Sequence, residues 1–418
     1  MSDTPGDTTR SPRALSGILI VVLALLTAVA PLATDMYLPA FPAMAGELGT
    51  TAAGVQLTLT AFLLGLGIGQ LFIGALSDTV GRRRPILIGS LVCLVAGIGC
   101  ALAPNIGVLV VARFVQGLGG AAGVVLARAI ISDSAKGAVA AKLQGALIII
   151  SVIAPVAAPL AGGTIIANFG WRPVFWVLAA LTLVMVLGTL THVRETLPES
   201  ARTGDGLTAM LGGARAVLTN RGYAGYLLTF CFSFAGLFAY ISASPFVIQN
   251  VMGMSTSAYT IVFSFNALLV LITSSVASAL AGRVAYRSMI TAGLTAAVLA
   301  SAVLVVAVFG GVPTVPVLVS FACFQGALGF VLSNTTVLAL AEAGCHAGTG
   351  SAFLGCLQFV LAAAVSPLVG IMGEDTAVPM GIAVIVSILL AVLAFSVLTS
   401  GKPASRDASA EHETAGAS

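Results

Sequence analysis

The chain has 418 residues, 58% of them hydrophobic and only 8% charged, with a mean hydropathy of +1.09. Soluble domains carry about 25% charged residues, so a chain this apolar cannot cover an aqueous globule, and lipid is the solvent it suits. The net charge of +3 comes without a basic tract, which excludes nucleic acid as a partner.

Runs of about 20 apolar residues are the unit of a helical membrane span. Twelve are predicted, at 15–37, 53–76, 85–103, 107–130, 143–167, 173–192, 223–248, 257–280, 289–311, 313–339, 351–372 and 377–399. The first is longer than the apolar stretch of a signal peptide and more spans follow it, so it is expected to be the first membrane helix. The one long polar interruption is 193–222, with Arg194, Glu195, Glu199, Arg202, Asp205, Arg215 and Arg221. The chain is thus expected to be all-α. A tail at 1–14 leads to a six-helix half at 15–192. A linker at 193–222, a second half at 223–399 and a tail at 400–418 follow. The tails are polar and rich in small residues, and are expected to be disordered.

Lys and Arg set the orientation. With both termini inside, sixteen of the eighteen basic residues fall on the cytoplasmic side of an inner membrane, Arg172 falls outside and Arg113 falls within a span. Trp171 and Trp176 are expected as interface anchors at the outer end of the fifth and sixth spans. The six cysteines, Cys93, Cys100, Cys231, Cys323, Cys345 and Cys356, show no paired or metal-ligand spacing and are expected to be reduced and buried.

The halves repeat. A shift of 209 residues lays Gln116 on Gln325, Gly117 on Gly326 and Asp133 on Glu342, while "APLAGG" at 158–163 lies over "SPLVGI" at 366–371. A parallel repeat of two six-helix units, with a site between them, is a transporter plan.

Four segments carry motifs. "PLATDMYLPAFPAM" at 31–44 holds Asp35, the only acid well inside the first apolar run. "GALSDTVGRRRP" at 74–85 has glycines for a tight turn and Asp78 within reach of Arg82 and of a helix start. "ARFVQGLGGAAG" at 112–123 puts Arg113 inside a span, where a bare charge is costly; it either snorkels outward or faces a central cavity. "APVAAPLAGG" at 154–163 has Pro155 and Pro159 to bend a helix and Gly162 and Gly163 for a close neighbour.

The second segment resembles the major-facilitator loop motif G-x-x-x-D-x-x-G-R-R. That resemblance implies a conformational latch of Gly74, Asp78, Gly81, Arg82 and Arg83, with Asp133 as candidate partner. The matching loop "SALAGRVAYR" at 278–287 has lost the acid. "RFVQGLGGA" resembles the family's R-x-x-Q-G-x-G motif. The fourth segment resembles the G-P-x-x-G-G motif of drug:proton antiporters, with Ala158 in place of its first Gly. The first resembles the bicyclomycin- and chloramphenicol-resistance (Bcr/CflA) branch of these antiporters. Together they imply a twelve-helix major-facilitator fold in a bacterial plasma membrane and export of a small lipophilic drug.

No catalytic constellation or nucleotide site is present, and His192, His346 and His412 fall near interfaces or in the tail. The protein is therefore expected not to be an enzyme, to need no cofactor and to run on a proton gradient, as a monomer. Arginine does not titrate in the working range, so a carboxylate must carry the proton. Asp35 is the expected carrier, with Arg113 as its modulator. Tyr37, Phe62, Phe234, Phe238, Tyr240, Asn266 and Gln358 are the expected cavity residues. A symporter importing a nutrient shares the fold, and a non-transporting sensor is the rival from another class. The 154–163 motif and the charge-poor spans favour the exporter.

Overall fold

The computed structural model describes residues 17–202 and 206–400. The expected tails, with Arg10, Arg13, Lys402 and Arg406, therefore lie outside the described residues. Helices follow one another through the rest. The first half runs α1 Gly17–Asp35, α2 Phe41–Glu47, α3 Ala52–Val80, α4 Arg83–Ala101, α5 Ile106–Ser134, α6 Gly137–Phe169 and α7 Arg172–His192. The linker holds α8 Gly206–Thr219, and the second half runs α9 Arg221–Phe246, α10 Thr256–Ala279, α11 Tyr286–Phe309, α12 Thr314–Ala343, α13 Ala347–Val365 and α14 Val378–Leu398.

Among the described residues, 11 stretches are long and apolar enough to cross a membrane. One of them, Thr314–Gly370, turns at Gly344–His346 and so contains both α12 and α13. Counted by helices, twelve span: α1, α3 to α7, and α9 to α14. Side-chain oxygens of Thr51, Asn105, Asn220 and Ser255 cap the free amides that start α3, α5, α9 and α10.

Two departures from the expected boundaries have clear causes. The first span ends at Asp35 and breaks into a turn and the short α2, because Pro39 and Pro42 lack amide donors and fit only the first turns of new helices. The polar linker contains α8, whose Ala214 and Val217 are buried and which packs against α3 of one half and α13 of the other. At 14 residues this amphipathic helix is too short to register in a search for long apolar runs.

Small residues bring backbones together where lipid supplies no hydrophobic driving force between helices. A Cβ on Gly65 of α3 would strike the Phe114 carbonyl of α5, and one on Gly117 of α5 would strike the Phe62 carbonyl of α3. The halves meet where α3 packs on α13 and α6 on α10. Large apolar side chains such as Val95, Val111, Leu183, Val306 and Val319 stay exposed, forming the belt that faces lipid.

The up-and-down chain path gathers Arg82, Arg83, Arg84, Arg128, Arg194, Arg202, Arg215, Arg221, Arg283 and Arg287 at one end of the bundle and Arg172 at the other. Two side-chain expectations need correction. Trp171 is no interface anchor: it is buried and donates its Nε1–H to Glu47 Oε2 at 2.7 Å, and only Trp176 is exposed. The cysteines are free thiols, but Cys323 within α12 and Cys345 in the turn that follows it are exposed, the latter on a cavity wall, and Cys356 is half-buried.

This chain path puts Ser200 and Thr376 at opposite ends of the bundle. Reporter fusions after these residues should appear on opposite sides of the membrane; the same side for both would refute twelve spanning helices.

Candidate functional site

A cavity of about 1160 Å³ lies between the halves. Its wall is mainly aromatic and aliphatic, with Phe234 and Phe238 of α9, Phe263 of α10 and Phe359 of α13. Asp35 lines it from α1, Gln325 from α12 and Gln358 from α13. It continues past Asp78, Arg128 and His346, so it opens towards the arginine-rich end. The other end is shut: Phe41 and Phe246 approach across the halves at 6.1 Å, Gln249 donates to the Pro39 carbonyl at 3.0 Å, and Gln56 donates to the Ser242 carbonyl at 3.1 Å.

Of the seven expected cavity residues, Phe234, Phe238 and Gln358 line it. Tyr37, Phe62, Tyr240 and Asn266 do not. Tyr240 and Asn266 sit behind the wall, where the Asn266 amide donates to the Tyr240 hydroxyl at 2.8 Å. Tyr37 and Phe62 are buried against Arg113, with ring centroids 4.5 and 4.2 Å from its guanidinium carbon. Single residues at helical spacing show which helix is polar or aromatic, not which face turns inward.

Arg113 neither snorkels nor faces the cavity. It is fully buried, stacked on Tyr37, Phe62 and Phe175, and donates to Gln116 Oε1 at 2.7 Å and to the Ala33 carbonyl at 3.0 Å. No ion pair joins it to Asp35 among the described residues. Its hold on Ala33, two residues before Asp35, caps the end of α1 and fixes where the carboxylate emerges. Asp35 is 5% exposed, reaches the cavity and makes no ion pair there.

At the arginine-rich end, Arg82 bridges two carboxylates. Its guanidinium lies 2.5 Å from Asp78 and 3.0 Å from Asp133, and it also donates to the Ser77 hydroxyl at 2.6 Å. Arg83 donates to the Leu190 carbonyl at 3.3 Å, tying α4 to α7. Gly74 lies beside Val125, and Gly81 takes a φ of +94°, which a residue with Cβ rarely adopts. The expectation that Asp78 sits at the helix start needs correction. That place belongs to Glu195, whose carboxylate accepts the amides of Arg82 at 2.8 Å and Arg83 at 3.2 Å, and of Thr196 and Leu197 at 3.1 Å. A side chain at Gly81 would collide with that carboxylate. Glu195 was visible in the sequence only as one charge of the linker.

The second half has a different device. Arg287 donates to the Tyr226 hydroxyl at 3.0 Å and the Thr399 carbonyl at 2.7 Å and lies over the Phe395 ring. Its partners are all neutral.

Pro155 lies on the cavity wall within α6, and Pro159 one turn further along the same helix. Beyond them Gly162 touches the Met36 backbone, and a Cβ on Gly163 would come 2.6 Å from the Thr260 hydroxyl of α10. The glycine pair therefore seats α6 on its own half and on the other half at the closed end.

Burial works against ionisation of Glu195, but its four backbone N–H donors outweigh it and hold the carboxyl below its ordinary range. A depressed carboxylate stabilises the fold above its unfolded pKa and loses that contribution as pH falls through its folded value. The melting temperature of Glu195→Gln should thus lie below that of the unaltered protein at pH 7 and converge with it below about pH 4. A gap independent of pH would refute the role. Gly162→Leu should lower stability by about 1–3 kcal/mol, since backbone cannot yield as a side chain end can. An unchanged melting temperature in detergent would show that α6 and α1 do not need this contact.

A family model described as Major Facilitator Superfamily matches residues 23–367. The uncharacterized MFS-type transporter YdgK of Bacillus subtilis strain 168 is 39% identical over 383 residues, which cover 91% of this chain and 95% of that protein. The bicyclomycin resistance protein homolog of Haemophilus influenzae is 29% identical over 389 residues, 93% of this chain and 98% of its own. Multidrug resistance protein D of Escherichia coli K12 is 29% identical over 245 residues, 59% of this chain and 61% of its own. Among solved structures, the Escherichia coli xylose transporter XylE, in a partially occluded inward open conformation, superposes with a TM-score of 0.69 at 15% identity, covering 92% of this chain and 99% of that one. At that identity the likeness concerns the fold alone.

Proposed function

This chain belongs to the major facilitator superfamily, and we propose that it exports small lipophilic drugs from the cytoplasm in exchange for protons. The arginine-rich end then faces the cytoplasm of a bacterial plasma membrane, a placement that the distribution of basic residues supports. The observation that carries the reading is a large, mainly apolar cavity that holds one buried carboxylate, Asp35, without an ion-pair partner among the described residues. An apolar wall suits a lipophilic guest, and a sugar or an anion would want more polar or cationic lining. The relatives named for bicyclomycin and multidrug resistance favour the same direction of transport.

The working cycle follows from the three contacts that shut the other end. With the arginine-rich end open, a drug enters from the cytoplasm or the inner leaflet and lies against Phe234, Phe238 and Phe359. Opening the other end requires Gln56, Gln249 and the Phe41–Phe246 contact to part. Asp35 sits between both routes and takes up a proton from outside, which it delivers inside when the cavity turns back. Arg113 does not act as a counter-charge in this state. It modulates Asp35 by holding the end of α1.

Two measurements test the reading. Asp35→Asn in proteoliposomes should still bind a neutral drug yet lose drug-induced proton release and uphill export. Persistence of both would remove Asp35 from coupling. Asp78→Asn should remain in the membrane and lose most export, because it removes one of the two carboxylates that hold Arg82, and about 1 kcal/mol shifts a balanced two-state equilibrium several-fold. Full export at normal expression would rule out the latch.

A further inference from the structure

The internal repeat places Gln116 and Gln325 at matching points of α5 and α12, but their surroundings differ. In the first half Arg113 occupies the Gln116 oxygen at 2.7 Å. The residue that matches Arg113 in the second half is Ala322. Gln325 is only 2% exposed, its Oε1 is buried without a partner, and its side chain makes no hydrogen bond among the described residues. It lines the same cavity as Asp35 and the phenylalanines.

A buried amide left without partners is costly, by about ten- to a hundredfold in an equilibrium constant. Such a group in a cavity wall is satisfied when a guest supplies the missing partner. Two hydroxyls of the same cavity are already engaged, since Thr336 donates to the Leu332 carbonyl and Thr34 to the Ala30 carbonyl. Its helix α12 packs against α9 and α10, whose cavity liners, Leu237, Phe238, Phe263 and Val270 among them, are all apolar. An amide can both accept from a hydroxyl and donate to it.

We propose that Gln325 is a specificity-determining residue, whose amide oxygen receives the hydroxyl of the transported molecule. The cavity then selects lipophilic alcohols over equally apolar compounds that lack the donor. The inference rests on the export reading and names the substrate class within it. Loss of the repeat's arginine is what frees this glutamine: the same residue type braces the fold in one half and faces the guest in the other.

Chloramphenicol, a diol on an aromatic ring, and its di-O-methyl ether form the probe pair. Inverted vesicles holding the full chain should take up the diol with an apparent affinity about ten- to a hundredfold above the ether's. In Gln325→Leu that ratio should fall to near one, chiefly through weaker uptake of the diol. A ratio is insensitive to how much protein reaches the membrane, and Gln325→Met, closer in shape, takes its place if the leucine variant does not fold. Equal uptake of both probes by the unaltered protein, uptake of neither, or an unchanged ratio in the variants overturns the proposal. Uptake of tetraphenylphosphonium, a lipophilic cation without a hydroxyl, is followed in the unaltered protein alongside. If it too is absent, the export reading fails; if it is present, only the role of Gln325 fails.

Discussion

A guanidinium without a counter-ion, enclosed by the first half of the bundle, is the interaction on which the rest of that half depends. Arg113 is fully buried and touches four spanning helices: Ala33 of α1, Phe62 of α3, Gln116 of its own α5 and Phe175 of α7. A charge at this depth persists only if its surroundings replace water. Here aromatic faces do so electrostatically, at about 2 kcal/mol for a desolvated contact, and two oxygens accept its hydrogens. These partners meet at one point only if the four helices keep their relative register. The arginine therefore organises the wall behind the cavity and fixes the end of α1 from which Asp35 projects.

Much of this was legible in the sequence because membrane solvent imposes coarse, strong rules. Span number followed from run length, and grouping of the arginines at one end followed from alternation of the helices. The glycines and Asp78 around the end of α3 stood out because topology alone does not require them. Detail that depends on which face of a helix turns inward was not legible. The search for cavity residues chose aromatic and amide side chains on plausible helices, and the helices' rotation put Tyr37, Phe62, Tyr240 and Asn266 behind the wall. Gln325 was noted only as a repeat of Gln116, because an empty hydrogen-bonding position is a property of neighbours in space. Glu195 was hidden for the same reason. It meets Arg82 across 113 residues of chain, and nothing local distinguishes it from the linker's other charges.

The helix Gly206–Thr219 illustrates a different limit. Its pattern is amphipathic and its length modest, so it falls below any threshold set for spans and above any expectation for a loop. Its contacts with α3 and α13 make the linker a folded strap across the mouth of the cavity rather than slack between two halves. Relative movement of the halves then has to carry or release this helix, which couples the linker's packing to the opening of that end.

The unequal arginine clusters at that end have a consequence for how the two halves sense their surroundings. Arg82 is bound by Asp78 and Asp133 through contacts of 2.5 and 3.0 Å between full charges, well inside the Debye length of about 10 Å at 0.1 M salt, so mobile ions weaken them only modestly. Arg287 is held by a phenol, a carbonyl and a ring, which salt scarcely touches and which leave its positive charge uncancelled. Raising the ionic strength therefore weakens the hold on Arg82 more than the hold on Arg287. Two arginine clusters at one end of a repeated fold thus answer the same salt unequally.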